Sequence, residues 1–172
     1  IIKRQKIETD SIIRMVLTLE ATSLVYYNIE NQFNTGFKHQ DCLFYMPGFW
    51  YRKNLRSPKQ APSFHTSDSW QVREDRLSTP LTGIYDEKSD NYYTVLRIDK
   101  FKDEALACHN HGEVILSGKT SLGSTGFHNA DGTSSLVFGF PYSETPKTYI
   151  RKLTLAPAIE TFDKMEKGEK RE

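Results

Sequence analysis

Two stretches of the chain carry residue types that recognise flat, polyhydroxylated rings. The first is Tyr45-Met46-Pro47-Gly48-Phe49-Trp50-Tyr51-Arg52. The second is Ser67-Asp68-Ser69-Trp70-Gln71-Val72-Arg73-Glu74-Asp75-Arg76. Aromatic faces stack on apolar ring faces, and planar carboxylate and guanidinium groups make paired hydrogen bonds. Phe49, Trp50, Tyr51, Arg52, Asp68, Trp70, Arg73, Glu74, Asp75 and Arg76 are therefore the candidate contact residues, at a substrate rim or between domains. The same residues have a plainer use. Trp50 and Trp70 would anchor a loop to the core, and the arginines and acids would pair as salt bridges. The sequence leaves both uses open.

Other chemistry is weaker. Glycoside cleavage needs two carboxyl groups roughly 5–10 Å apart across a cleft. Glu74 and Asp75 are adjacent, and neighbours on an extended segment point to opposite faces, so they do not form that pair together. His109-Asn110-His111 is the one His-x-His, but no Cys-x-x-Cys or His-Glu-x-x-His accompanies it, so no metal is expected. Gly123-Ser124-Thr125-Gly126 lacks the Lys and helix of a phosphate loop and reads as a turn or bulge. No catalytic residue and no cofactor are assigned.

The elements that must position these residues are strands. Ile1 to Ile7 and Ile12 to Leu19 read as β, with Ile13, Met15, Leu17 and Leu19 on one face. Thr22 to Ile29 is rich in strand formers, and Asn34-Thr35-Gly36 breaks the pattern. Residues 41–76, interrupted by Pro47-Gly48, Pro58 and Pro62, read as a long ordered irregular excursion. Leu81 to Tyr85 and Tyr92 to Ile98 form a hairpin around a polar turn. A helical turn over 101–107 and strands over 113–116, 121–127, 136–140 and 148–155 follow, with Asp131-Gly132 as a turn. The spacing predicts a mainly β fold, an antiparallel β-sandwich over residues 1–156. Residues 157–172, opening on Pro157, are expected to be a short C-terminal helix and linker.

With 172 residues the chain suits one core. A net charge of +1, with both signs interspersed, gives no footprint for nucleic acid. No apolar run is long enough for a membrane span. Cys42 and Cys108 either pair once or remain separate thiols, so the compartment stays open. With Ile1 rather than Met at its start, the sequence is expected to be a piece of a longer protein.

Three stretches together resemble a known family. They are Tyr45 to Asn54, Trp70 to Tyr85, and Phe138-Gly139-Phe140-Pro141-Tyr142. They are similar to the N-terminal β-sandwich of bacterial six-hairpin glycosidase-type proteins, a supersandwich of galactose-mutarotase-like fold that precedes a helical toroid. The resemblance implies a non-catalytic domain supporting a C-terminal helical catalytic domain, which is absent here, and lending a loop to its cleft. It also implies an oligo- or polysaccharide as partner and a periplasmic or extracellular location. A stand-alone sugar-binding module and a structural or protein-interaction sandwich are the competing accounts.

Overall fold

A computed structural model describes residues 1–52, 67–98, 122–146 and 161–172. Among these residues the fold is mainly β, every strand pairing is antiparallel, and no helix reaches seven residues. The strands in chain order are β1 (Ile2–Thr9), β2 (Ile12–Glu20), β3 (Val25–Tyr27), β4 (Ile29–Lys38), β5 (Cys42–Met46), β6 (Trp50–Arg52) and β7 (Ser69–Arg73). They continue with β8 (Leu81–Asp86), β9 (Asn91–Leu96), β10 (Ser124–Ala130), β11 (Thr133–Phe140), β12 (Asp163–Met165) and β13 (Lys170–Arg171).

Two four-stranded sheets carry the core, in the orders β4-β11-β10-β7 and β6-β5-β8-β9. Register places Trp70, Phe127, Leu136 and Phe33 in one row across the first sheet. In the second sheet, alternation along the strands turns Cys42, Phe44, Met46, Trp50 and Ile84 the same way. The two sets meet in one buried cluster. Phe44 and Phe127 stack across the sheets with ring centroids 4.1 Å apart, and Trp50 lies 5.0 Å from Trp70. Thr125 donates to Thr82 across the same seam at 2.9 Å, so buried hydroxyls are satisfied between the layers. Tyr93 closes the side by packing on Phe33 and Phe37.

Smaller sheets flank this core: β1-β2-β13, and β12 paired with β3. The Asn28 amide ties this region together by donating to the Pro141 carbonyl, the Ser143 hydroxyl and the Thr161 carbonyl.

The structure corrects several sequence expectations. Residues 41–52 are not irregular: Pro47-Gly48 turns a hairpin between β5 and β6, with Gly48 at φ +83°. Asn34-Thr35-Gly36 does not end a strand. It forms a bulge inside β4, where four residues span two of β11 and the Asn34 side chain accepts from the Gly36 N–H. Gly126 sits in mid-strand rather than in a turn. A Cβ there would lie 1.9 Å from the Trp70 carbonyl, so only hydrogen fits where β10 meets β7. The short C-terminal helix is absent from the described part of the tail. Asp163 and Met165 point inward and Lys164 outward, a period of two, and β3 supplies the partner edge. Residues 157–160 lie outside the described residues. So do the turn expected at 101–107, the strands expected at 113–116 and 148–155, the His109–His111 pair and Cys108. Cys42 is buried in the core, its thiol donating to the Lys38 carbonyl.

Trp70 fills the centre of this packing, and its indole N–H donates to the Ser67 carbonyl at 3.0 Å. Trp70→Ala should therefore destabilise the protein by about 3–5 kcal/mol, read as a lowered denaturation midpoint in urea. A variant as stable as the parent would remove Trp70 from the core.

Candidate functional site

The residues singled out in the sequence separate into three places. Trp50 and Trp70 are both fully buried, and Phe49 is half-buried against them with its ring centroid 6.5 Å from that of Trp70. Neither tryptophan presents a face to solvent. Asp68 is exposed, and its backbone carbonyl accepts from the Asn129 N–H. Arg52 closes β6 opposite Phe44.

The charged residues form an ion network at the end of β7, where Glu74–Arg76 make a 3-10 turn. Glu74 accepts from the Arg97 guanidinium through both oxygens and from the Gly123 N–H at 2.9 Å. Arg97 in turn lies over the Phe140 ring. Arg73 donates to Asp75 at 2.5 Å and stacks on Tyr142, its Cζ 5.2 Å from the ring centroid. Arg76 reaches Glu144, which is only 2% exposed. Glu144 Oε1 accepts the Arg73 backbone N–H at 3.0 Å. Arg76 Nε lies 2.6 Å from that oxygen but off a hydrogen-bonding line, and Oε2 has no hydrogen-bond partner among the described residues. Burial pushes the Glu144 carboxyl above its ordinary range, against the pull of the Arg73 N–H and the Arg76 charge. Arg73 through Arg76 are thus consumed in local pairing.

Tyr51 belongs to a different surface. The face of sheet β6-β5-β8-β9 opposite the core carries one row of Tyr51, Tyr45, Gly83 and Thr94, and a second row of Leu43, Tyr85 and Tyr92. Tyr45 is 46% exposed, Tyr51 53% and Tyr92 74%, large values for aromatic side chains. The rings of Tyr45 and Tyr51 meet edge to face at 5.4 Å. Two hydroxyls are tethered to the protein. Tyr51 Oη accepts the Gly48 N–H at 2.7 Å, and Tyr85 Oη donates to Asp90 at 2.8 Å. The Asp90 bond is the main reason the Tyr85 phenol is raised above its usual value, so it remains a donor. These two rows carry no charged side chain.

Sequence reasoning placed Tyr45 and Tyr51 in one aromatic stretch but missed Tyr85 and Tyr92, and did not see that the four share one surface. The available signal was Phe44-Tyr45-Met46, with a hydroxylated ring between two apolar residues.

Among the described residues, no group of three His, Cys, Asp or Glu is placed to hold a metal ion, and no helix is long and apolar enough to cross a membrane. Comparison with protein-family models, curated proteins and solved structures gives no match.

Glu144 provides a test of the ion network. Its raised carboxyl holds a proton in the folded state at pH values where the unfolded chain has released it. The stability it contributes is therefore present below the ordinary carboxylate range and lost as pH rises through the raised value. Glu144→Gln should lie within about 1 kcal/mol of the parent at acid pH and flatten this decline, measured by urea denaturation across a pH series. An unchanged pH profile would show that Glu144 is not the titrating group.

Proposed function

We propose that this chain is a non-catalytic β-sandwich domain of a larger carbohydrate-active protein, and that it contacts glycan through the tyrosine face of sheet β6-β5-β8-β9. In this reading the two four-stranded sheets are the halves of a supersandwich-like domain. It supports a C-terminal helical domain of the parent protein, as the resemblance in the sequence implies. The observation that carries the glycan contact is the outer face with Tyr45, Tyr51 and Tyr92 open to solvent, where the nearest charge is the Asp90 carboxylate that holds Tyr85 at its margin. Pyranose rings offer C–H faces that stack on aromatic rings and hydroxyls that bond to phenols, and a neutral sugar asks for no counter-charge. Glu74 and Glu144 fit a supporting role, since each is committed to arginine.

A structural or protein-interaction domain is the competing reading. It draws on the β1–β2 hairpin, which exposes Ile2, Ile7, Ile12 and Ile13 beside Lys3, Arg4 and Lys6. Aliphatic side chains of this kind suit a protein partner better than a sugar.

Affinity electrophoresis in gels cast with a panel of soluble polysaccharides separates the two. The parent should be retarded by at least one polysaccharide. Tyr45→Ala and Tyr92→Ala should each weaken binding about two- to tenfold, the equivalent of about 0.5–1.5 kcal/mol per ring, with unchanged melting. No retardation across the panel would reject the glycan reading in favour of the protein-interaction account.

A further inference from the structure

The β1–β2 hairpin carries an order of charges that the glycan reading does not use. Every residue of β1 is exposed, and along β2 partial burial begins only at Met15. The turn end of the hairpin therefore stands clear of the two core sheets. Among the described residues β1 is also an edge of its sheet, in the order β1-β2-β13. Ile1 and Glu20 exchange both backbone hydrogen bonds, at 2.8 and 2.9 Å. In an antiparallel ladder that pair fixes the alternation. Odd-numbered residues of β1 point N–H and C=O at β2, and Ile2, Arg4, Lys6 and Glu8 point theirs outward.

An open edge is a template for a further strand, and edge charges ordinarily block it. The charges here are ordered rather than uniform. Arg4, Lys6, Glu8 and Asp10 run plus, plus, minus, minus at a spacing of two. Reversed, that order is its own complement. A two-fold axis that lays a second copy antiparallel along β1 sets outward-pointing residues opposite one another, even number to even number. A register centred on Arg4, Lys6 or Glu8 opposes that charge to its own copy. One centred on Gln5 opposes Arg4 to Lys6. Centring on Ile7 instead sets each Lys6 opposite a Glu8 and each Arg4 opposite an Asp10, with no like charges facing. Opposite charges across a strand pair stabilise it and like charges destabilise it. Ile7, 42% exposed, meets its own copy on the axis, in a non-hydrogen-bonded pair where side chains approach most closely. The overlap of residues 4–10 lies at the turn end, so the two bodies stay at opposite ends of the joined strands.

We infer that the protein associates with a second copy of itself through the β1 edge, antiparallel and centred on Ile7. This association is independent of the glycan reading. Within one molecule Lys6 pairs with Glu8 of its own strand. Both side chains are more than half exposed, so exchanging that pair for the cross-strand ones costs little. Arg4 donates to Asn31 Oδ1 at 3.1 Å and has further guanidinium donors for Asp10 of the second copy. So short an overlap buries less than a standard interface, and the dimer is accordingly weak and dependent on concentration.

Sedimentation velocity on the parent from about 1 to about 500 µM should show monomer giving way to dimer. Lys6→Glu opposes carboxylate to carboxylate in this register, and Glu8→Lys opposes ammonium to ammonium. Each variant alone should associate at least about tenfold more weakly with unchanged melting. An equimolar mixture of the two should associate again, because every facing pair then carries opposite charges. Ile7→Cys reads the register directly: its thiols meet on the axis and should form an intermolecular disulfide in oxidised glutathione. Gln5→Cys sets the thiols four residues apart, about 14 Å, and should cross-link no faster than the parent, whose own Cys42 and Cys108 give the background. A parent that stays monomeric throughout overturns the inference. A dimer that persists in both charge variants forms through another surface, the tyrosine face included, and overturns it as well. Equal cross-linking of Ile7→Cys and Gln5→Cys would overturn the register.

Discussion

The seam between the two four-stranded sheets governs the rest of the molecule. Phe44 stacks on Phe127, and Trp50 and Trp70 pack beside them. A strand side chain points to one face or the other, with a strict period of two. Once Phe44, Met46 and Ile84 face inward, Tyr45, Gly83 and Tyr85 must face outward. The outer surface is therefore a consequence of the core register. Sliding β5 by one residue would bury tyrosines and expose Phe44. Gly126 holds the other half of this arrangement, because it alone lets the β10 backbone approach β7 closely enough to set Trp70 beside Phe127.

The ion network shows how the chain manages charge at the end of that core. A buried carboxylate loses hydration and is stable only when donors replace the water. Glu74 is well provided for, by Arg97 and the Gly123 N–H. Glu144 is less so, with one oxygen unpartnered among the described residues, and protonation is the simplest way to lower its energy. The arginines have second contacts as well: Arg73 lies on Tyr142 and Arg97 on Phe140. Planar guanidinium groups serve both purposes at once, which lysine does not. These side chains link the end of β7 to the residues just after β9, just before β10 and just after β11.

Much of the fold was legible because it rests on period two and turn chemistry. Ile12 to Leu19, the Leu81–Ile98 hairpin and Asp131-Gly132 were read from those signals and stand as β2, β8–β9 and the β10–β11 turn. The signal failed where both faces of a strand are aromatic. Around Pro47-Gly48 the residues alternate Phe, Tyr, Met and then Trp, Tyr, which reads as unpatterned density when hydroxylated and plain rings count alike. It also failed at β4, where Phe33, Thr35 and Phe37 do alternate inward but a bulge at Gly36 mimics a turn. The candidate site suffered from the same blindness. Local density of aromatics and arginines identified residues that pack and pair with one another. The tyrosine face draws on β5, β6, β8 and β9, far apart in sequence, and only pairing brings them together.

The choice of tyrosine on that face carries a further argument. Among the described residues β6 and β9 are the edges of this exposed aromatic sheet, and apolar patches of this kind invite association. Threonine or charged residues would cover the same sheet at lower risk. Phenylalanine or tryptophan would increase the risk. Tyrosine keeps a large apolar ring while its hydroxyl stays hydrated or bonded, as Tyr51 does to Gly48 and Tyr85 to Asp90. The selection of residue type thus moderates the liability without removing the rings. A surface built only to face water would have no use for them, and a surface built to be buried in protein would not need their hydroxyls. Rings and hydroxyls together suit a partner that is itself apolar on its faces and polar at its rim.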